Sequence, residues 1–417
     1  MISRLYIYIL FSLLCGVVSV LGDHFGVGML DYLLFSIFIA VSVVMTKKKF
    51  MVPKRYLVIL ALYVLVMAVT SYMSPYTTGF VYVLIGSIAT LMPFILFMVS
   101  YNYVLNENHI GRLIDAWICL ILVLCGIALI ETTVLTSQAQ DSTAILKITL
   151  IKPGFFASMT NQGTILSLFQ YSLSKKKKYV RIALILTSAV VLTVQLKAIV
   201  GVMMIWMLYA LIMSDKNRRG RAVAAIAVTA IAAIFMMISI PSLSSKIEKY
   251  IGLYAGEESY DKVARPALYY QSVNIANDFF PLGSGQGTFG SIPVNMIYNQ
   301  IYYDYGLDGI YGLGETGDDF KMDTHWSSIL GENGYLGTIL YLMLFCYPLT
   351  FLRKARRLQS YKSIRFIIMT VIIVVMFESL TLCIPGRMAF MFIYAGLLSI
   401  ICRRITIAGK YYEGSPS

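Results

Sequence analysis

Charged side chains are scarce in this sequence: Asp, Glu, Lys and Arg make up 13% of its 417 residues, whereas hydrophobic residues make up 58%. A soluble domain needs far more polar surface, so this composition excludes one. The apolar residues come in stretches of roughly 17 to 22, each long enough to cross the ~30 Å hydrocarbon core of a bilayer as a helix. The sequence therefore predicts an all-α integral membrane protein.

Cysteine and histidine are also scarce, with six and three residues. There is no CxxC or HExxH spacing, and His325 near Asp318, Asp319 and Asp323 is a weak basis for a metal site. Only Cys383 falls near the predicted outer surface, so no disulfide framework is indicated. The other cysteines lie in or beside apolar stretches: Cys15, Cys119, Cys125, Cys346 and Cys402. We therefore predict neither a bound metal nor a cofactor.

The apolar stretches predict about twelve membrane helices, of which the sixth and seventh are the least regular. They lie near residues 4–22, 28–46, 56–73, 80–100, 113–131, 157–174, 179–196, 198–214, 222–241, 334–352, 364–382 and 388–402. Residues 1–240 then hold helices one to nine, and residues 241–325 form one large outer loop with short helices. Residues 326–417 hold helices ten to twelve and a C-terminal tail.

Basic residues indicate how the chain is oriented in the membrane. They gather on one side of the twelve-helix arrangement, at Lys47 to Lys49, Lys54 and Arg55, Lys175 to Lys178, Arg218 to Arg221, Arg353 to Arg357, and Arg403 and Arg404. Short loops rich in lysine and arginine stay in the cytoplasm, so both termini are predicted to be cytoplasmic. The formal net charge of +13 then reflects topology, and no nucleic-acid partner is expected.

The outer loop reverses this charge balance and is rich in tyrosine. A loop of this length usually has a function. Aromatic rings with a polar tip suit both a membrane interface and the apolar faces of sugar rings, and both interpretations remain open. The loop tyrosines are Tyr250, Tyr254, Tyr260, Tyr269, Tyr270, Tyr298, Tyr302, Tyr303, Tyr305 and Tyr311. The candidates for contact with sugar are Tyr269, Tyr270 and, just after the loop, Trp326.

Three cations lie where polar chain meets the outer membrane face. Arg265 precedes Pro266, and an amphipathic stretch that predicts a helix runs on to about Asn277. Free backbone N–H groups and the positive end of the helix dipole make such a start a good seat for a diphosphate. Lys197 stands at the end of an apolar run, where a charge needs a partner or water. Arg387 lies at the outer end of the last predicted hairpin.

Each of these cations also has a purely structural interpretation. Lys197 can extend its ammonium outward to water, and Arg387 can cap a helix or lie at the interface. Arg265 can pair with an upstream acid, for which the candidates are Glu257, Glu258 and Asp261.

A glycine-dense turn follows the predicted Arg265 helix, from Pro281 to Gly290. It contains a GxGxxG pattern from Gly285 to Gly290, but no βαβ unit surrounds it, and it faces away from the compartment that holds NAD and ATP. We therefore predict that its glycines serve turn geometry or close packing of the backbone.

His325 lies at the junction of the outer loop with the tenth predicted helix. Thr324 can cap that helix and place His325 in its first turn at the membrane surface. A neutral imidazole there can take a proton from a sugar hydroxyl, and an interfacial histidine without a catalytic role is the alternative.

Glu332 lies seven positions after His325, nearly on the same helix face. It is roughly 10 Å further along the axis, too far to orient the imidazole directly. We predict a buried carboxylate that holds an arginine or lysine from a neighbouring segment. The glycines around it, Gly331, Gly334 and Gly337, favour close helix packing.

Three segments carry a resemblance to a known family. The most specific is THWSSILGENGYLG at residues 324–337, with a pattern of His, spacer and Glu-x-Gly-x-x-Gly. The second is the Arg265 helix running into PLGSGQGTF, and the weakest is KPGFF from Lys152 with Asn161 downstream. In this order the segments resemble the O-antigen ligase and Wzy-type polymerase superfamily of bacterial membrane enzymes.

The resemblance implies a GT-C-like fold of the bacterial inner membrane, with both termini cytoplasmic and the active site facing the periplasm. It implies undecaprenyl-diphosphate-linked oligosaccharides as donor and acceptor, surrounded by membrane lipid, with a chain-length regulator protein as a further partner. Neither a metal nor a cofactor is implied.

The resemblance also implies roles for particular residues. Arg265 and Lys197 would bind the donor diphosphate and stabilise the leaving lipid diphosphate. His325 would position or deprotonate the acceptor hydroxyl, with support from Glu332. Arg387 is a further diphosphate candidate from its position alone.

One departure from the family pattern bears on the acceptor. Ligases of the family commonly have a Ser-Arg pair where this chain has Leu196-Lys197, and lysine lacks the bidentate fork of arginine. This favours the polymerase branch, which transfers a growing glycan from undecaprenyl diphosphate to the non-reducing end of another lipid-linked repeat unit. A ligase that delivers the glycan to a lipid A core remains open.

A flippase or transporter of lipid-linked oligosaccharides is a rival from another functional class. Twelve spans with both ends in the cytoplasm are equally ordinary there. However, no internal repeat relates the two halves of the sequence, and its polar residues concentrate in one outer loop instead of at the membrane midplane.

Overall fold

The computed structural model describes residues 2–25, 30–46, 50–135, 152–214, 220, 263–316, 320–382 and 387–413, and these residues contain helices and no strand. In chain order the helices are α1 (Ile2–Phe25), α2 (Leu30–Thr46), α3 (Lys54–Met73), α4 (Phe80–Ser100), α5 (Glu107–Leu135), α6 (Pro153–Ser174), α7 (Lys177–Leu192), α8 (Leu196–Met213), α9 (Ala264–Asp278), α10 (Ile292–Met296), α11 (Ile301–Asp304), α12 (His325–Phe345), α13 (Leu352–Ala355), α14 (Tyr361–Glu378), α15 (Met388–Met391) and α16 (Leu398–Glu413). A 3-10 helix at Tyr347–Phe351 precedes α13, and a π-helical segment at Phe392–Leu397 joins α15 to α16.

Five of the described helical segments are long and apolar enough to cross a membrane. They are α3, α4, most of α5, α8, and the segment Phe392–Gly409. A sixth is added if α12 and the helical residues up to Ala355 count as one span bent by 46°. Shorter apolar stretches occupy Arg4–Val18 and Tyr32–Thr46. The all-helical class and the presence of several membrane-compatible helices are therefore confirmed.

The number of spans stays a prediction. A helix occupies the position of every predicted span except the one near 222–241, which lies outside the described residues. Several of these helices are shorter or more polar than an isolated span requires. For example, α7 has 16 residues, and α14 carries Lys362, Arg365 and Glu378 within its 18.

The tenth predicted span, placed at 334–352, is shifted in the structure. α12 begins at His325 and ends at Phe345, because Pro348 starts a 3-10 turn in place of a continuing helix. α12 also has a break in its helical geometry at Gly334, whose φ is 61°.

α6 lies in the interior of the helical part of the protein. It is buried without interruption from Phe155 to Gln170 and packs against α5, α7, α8 and α14. Its buried face includes polar side chains such as Ser158, Asn161 and Gln162. A polar side chain that is buried needs partners within the protein, so α6 is suited to an internal polar site and not to contact with lipid.

The described part of the outer loop, from residue 263 onward, has a small core of its own. Leu268 and Ile275 of α9 pack with Phe289, Ile301 and Tyr302. α9 also lies along α12, which joins this core to the membrane helices. The predicted Arg265 helix is confirmed, since α9 runs from Ala264 to Asp278.

Several loop tyrosines hold this small core together. Tyr305 donates a hydrogen bond to Asp278 (2.7 Å), and Tyr302, fully buried, accepts one from the Gly290 N–H (3.0 Å). Tyr76, from the α3–α4 connection, donates to Asp304 (2.7 Å), and burial together with that carboxylate raises the pKa of Tyr76 to about 12. The hydroxyl groups of these tyrosines are therefore engaged in hydrogen bonds within the protein.

Candidate functional site

The glycine-dense turn crosses α12 at its break. Ser284 N–H donates to Gly331 O (2.8 Å) and Gly285 N–H donates to Glu332 O (3.0 Å). Gly285, Gly287 and Gly290 have φ values of 94°, 82° and 66°, in the left-handed region that side chains avoid. The prediction that these glycines serve turn geometry and close packing is confirmed.

Glu332 is buried, as predicted, but its partners are not cations. Its Oε1 accepts hydrogen bonds from the N–H groups of Gly287 (2.9 Å) and Phe289 (3.1 Å) and from the Ser291 hydroxyl. The expectation that it holds an arginine or lysine was therefore wrong. The physical reason is that backbone N–H groups of the turn, together with the Ser291 hydroxyl, already satisfy this oxygen. Glu332 fixes the turn against α12.

His325 is the first residue of α12, as the Thr324 cap predicted. Its ring is 6% exposed, so it is buried and does not lie open at the surface. Its Nε2 is hydrogen-bonded to the Tyr341 hydroxyl (2.8 Å), and its backbone N–H donates to Ser379 O (3.3 Å). His325 is thereby fixed between α12 and the end of α14.

Arg265 forms a two-pronged ion pair with Asp323. Its Nε and Nη2 donate to the same carboxylate oxygen at 3.2 and 2.8 Å. The side chains are 41% and 23% exposed, so both can still be reached from the outside. The upstream acids that were candidate partners lie outside the described residues. Because Asp323 precedes His325 by two positions, the ion pair ties the start of α9 to the start of α12.

Lys197 is half-buried at the start of α8 and faces other charged groups. Its ammonium interacts electrostatically with Glu378, Arg265 and Asp323. It also lies against the start of α6, where a Cβ on Gly154 would be 3.7 Å from Nζ. The KPGFF segment and Lys197, which the sequence analysis considered separately, thus belong to one place.

Arg387 reaches the same place from the other side. Its guanidinium lies 6.0 Å from the centre of the Phe155 ring, next to Gly154. Phe155 also packs edge-on against Phe390 at 5.0 Å. The three predicted cations Lys197, Arg265 and Arg387 therefore gather near the starts of α6 and α9, which we call the cation cluster. The positive ends of two helix dipoles add to its field.

Glu378, which the sequence analysis did not single out, lies beneath this cluster. It is fully buried at the end of α14, and its Oε1 accepts a hydrogen bond from Asn161 Nδ2 (2.6 Å). The same Nδ2 donates to Ala198 O (3.0 Å). A signal was present in the sequence, because Glu378 is a lone acid in an apolar stretch, and such residues are functional candidates by default.

The three residues predicted to contact sugar lie in different surroundings. Trp326 is half-buried, and its indole N–H donates to Met376 O (3.0 Å) on α14. The Tyr269 hydroxyl donates to Leu380 O (2.8 Å). Tyr270 is 60% exposed. Trp326 and Tyr269 thus have packing contacts of their own, and contact with sugar stays a prediction for all three.

No known family model matches the sequence, and no curated protein matches it either. The resemblance therefore rests on the motif residues alone, and the function has to be argued from the site.

Proposed function

We propose that this protein is a polysaccharide polymerase that transfers a growing glycan from a polyprenyl diphosphate to a second lipid-linked repeat unit. The observation that carries the proposal is the gathering of Lys197, Arg265 and Arg387 near the start of α12, where Arg265 pairs with Asp323 two positions before His325. A diphosphate that leaves a sugar carries negative charge, and preorganised cations and helix starts at that point lower the barrier to its departure.

The reaction follows from this arrangement. The acceptor hydroxyl attacks the anomeric carbon, the bond from that carbon to the diphosphate oxygen breaks, and its electron pair stays on the diphosphate. Arg265, whose side chain is 41% exposed, meets the diphosphate of the substrate, with Asp323 holding its guanidinium in place. His325 orients the acceptor hydroxyl or takes its proton. Its hydrogen bond to Tyr341 fixes the plane of the ring.

The proposal includes the membrane arrangement implied by the resemblance. The chain has about twelve spans and a GT-C-like fold in the bacterial inner membrane, with cytoplasmic termini and the cation cluster facing the periplasm. Helices at the predicted positions and the contact of α9 with α12 support this part. The cations supply the charge needed at the leaving group, so the proposed transfer uses no metal.

A ligase that transfers to a lipid A core would use the same donor site. The polymerase is preferred because Lys197 stands where ligases commonly have arginine. A flippase would need its polar groups along a path through the membrane, whereas the cation cluster lies at helix starts around one site.

The test is an assay of the purified protein in lipid nanodiscs with its polyprenyl-diphosphate-linked repeat unit, in the presence of EDTA. Wild type should give a ladder of lengthening lipid-linked glycans on a gel. Arg265→Ala should lower the rate about 100-fold or more, because it removes a cation aimed at the leaving group. His325→Ala should abolish the ladder.

Arg181→Ala is the matched control, since Arg181 is an exposed arginine of α7 away from the cluster. It should retain the wild-type ladder. If the folded wild-type protein produces no ladder with the correct donor but adds glycan to a lipid A core, the protein is a ligase and not a polymerase. Absence of either product would contradict glycosyl transfer.

A further inference from the structure

The contact between Glu378 and Asn161 is incomplete in a specific way. Asn161 Nδ2 donates to Glu378 Oε1, the Ser158 hydroxyl also lies within reach of the Glu378 carboxyl group, and Asn161 Oδ1 has no hydrogen-bond partner among the described residues. The orientation of the amide is fixed, because its Nδ2 faces two acceptors, Glu378 Oε1 and Ala198 O. The amide oxygen of Asn161 is thus left buried without a donor, which is costly in a membrane interior.

One proton on Glu378 can supply the hydrogen bond that Asn161 Oδ1 lacks. A carboxylic acid and a primary amide can face each other through two parallel hydrogen bonds, N–H to one carboxyl oxygen and O–H back to the amide oxygen. The first of these bonds is present at 2.6 Å. If Glu378 is protonated on Oε2, its hydroxyl can donate to Asn161 Oδ1 and complete the pair. If Glu378 is ionised, the pair lacks that donor.

An ionised Glu378 has a different partner in Lys197. Lys197 and Gly201 lie one turn apart on the same face of α8, and Gly201 leaves the space that the pair occupies. A Cβ on Gly201 would be 2.8 Å from Asn161 Nδ2 and 3.1 Å from Glu378 Oε1. The Lys197 ammonium interacts electrostatically with Glu378. Glu378 therefore stands between a cation, which favours the charged form, and an amide, which is completed by the neutral form.

We propose that binding of a lipid-linked diphosphate at the cation cluster is coupled to the uptake of one proton by Glu378. The diphosphate replaces the carboxylate as the counter-ion of Lys197, and two anions on one ammonium repel each other. Glu378 then takes a proton from water and completes its pair with Asn161. The proton returns to water when the diphosphate leaves. This inference rests on the proposed function, and Glu378 acts in it as a positioning residue.

The surroundings of Glu378 allow this assignment. Around it, α6 contributes the neutral Asn161 and Ser158, and α8 contributes the positively charged Lys197. α12 reaches the end of α14 through the backbone of His325. Arg265 and Asp323 act on Lys197 as a neutralising pair, and Arg387 lies beyond the start of α6. Lys197 is therefore the group through which a bound anion changes the protonation of Glu378.

The test is isothermal titration calorimetry of the full chain in nanodiscs. The probe is a short-chain polyprenyl diphosphoryl-N-acetylglucosamine, whose diphosphate is esterified at both ends and binds no proton near neutral pH. Repeating the titration in buffers of different ionisation enthalpy counts the protons taken up. We expect wild type to take up about one proton per bound probe. Over the pH range in which this uptake is complete, the affinity for the probe should fall roughly tenfold for each unit by which the pH rises.

Glu378→Gln is the decisive variant, because glutamine carries both the acceptor and the donor that Asn161 needs, and so mimics the protonated acid. It should bind the probe with no proton uptake and with an affinity that is independent of pH. Asp115→Asn is the matched control, an acid of α5 held by Tyr179 (2.9 Å) away from the cluster. It should keep the wild-type proton uptake.

The possible failures are distinguishable. Wild type that binds the probe without taking up a proton overturns the inference and leaves the diphosphate site standing. Uptake that persists in Glu378→Gln assigns the proton to another group and also overturns the inference. Wild type that does not bind the probe contradicts the proposed function, and the coupling fails with it.

Discussion

Two buried glutamates of this protein are treated in opposite ways by their surroundings. Glu332 on α12 has one oxygen that accepts three hydrogen bonds, two of them from backbone N–H groups of a rigid turn. Glu378 on α14 accepts one from the Asn161 side-chain amide and has the Ser158 hydroxyl and the Lys197 ammonium nearby. The first carboxyl group is held in place by fixed backbone dipoles, whereas we propose that the second has a charge that depends on its neighbours.

The difference shows where a buried carboxylate serves the fold and where it can respond to a ligand. Backbone N–H groups cannot leave or change charge, so Glu332 keeps the same partners in every state of the protein. In the coupling that we propose, Lys197 exchanges Glu378 for a substrate anion, because Lys197 is only half-buried and stands beside the partly exposed Arg265. Substitutions at each glutamate and its surroundings therefore test whether the two carboxyl groups differ in this way.

The largest effect is expected at the break in α12. An alanine at Gly334 would have to adopt a φ of 61°, and its Cβ would lie 2.3 Å from Leu282 O. We expect Gly334→Ala to destabilise the protein by about 2–5 kcal/mol, through backbone strain and overpacking. SDS titration in mixed micelles measures this change. Gly309→Ala is the control, since no atom lies within 4 Å of its Cβ, and equal stability of the two variants would contradict the packing described here.

Glu332→Gln should have the next largest effect. The amide keeps an acceptor for the three donors of the turn but places a buried NH2 group where Glu332 has its second oxygen, and the expected destabilisation is about 1–3 kcal/mol. The same titration measures it. Glu315→Gln is the matched control, because Glu315 is exposed and accepts from Tyr303 (3.0 Å). If Glu332→Gln were as stable as this control, the carboxyl group of Glu332 would not be needed to hold the turn against α12.

Much of the local structure could be predicted from the sequence. The Pro266 start gave α9 within one residue at either end, and Thr324 gave the start of α12. Such signals lie within a few residues of the feature they predict. The glycine turn was also predictable, because only its glycines tolerate the left-handed backbone.

The partners in the site could not be predicted in the same way. Asn161 and Glu378 are 217 positions apart, and Arg265 is 58 positions from Asp323. No local pattern links such residues, and several acids competed for Arg265. The partners of Glu332 were missed because backbone N–H groups, which carry no sequence signal, took the place of a cation.

Tyr341→Phe should have a smaller effect, of about 1 kcal/mol, because it removes one buried hydrogen bond to His325. In the polymerase assay it should lower kcat with little change in KM, since the donor is held elsewhere. Tyr335→Phe is the control on the same helix, where an exposed hydroxyl donates to Asn277 (2.7 Å). Equal kcat values for the two variants would show that Tyr341 does not position the imidazole.

The smallest effect on stability is expected for Glu378→Gln, and this is what separates the two glutamates. Glutamine offers Asn161 both hydrogen bonds, and the half-buried ammonium of Lys197 can gain water in place of its lost counter-ion, so stability should change by less than about 1 kcal/mol. SDS titration of Glu378→Gln beside Glu332→Gln measures the contrast directly. A loss as large as that of Glu332→Gln would mean that Glu378 is a permanent anion bound to Lys197. A loss near zero means that its charge is dispensable to the fold and free to follow the ligand.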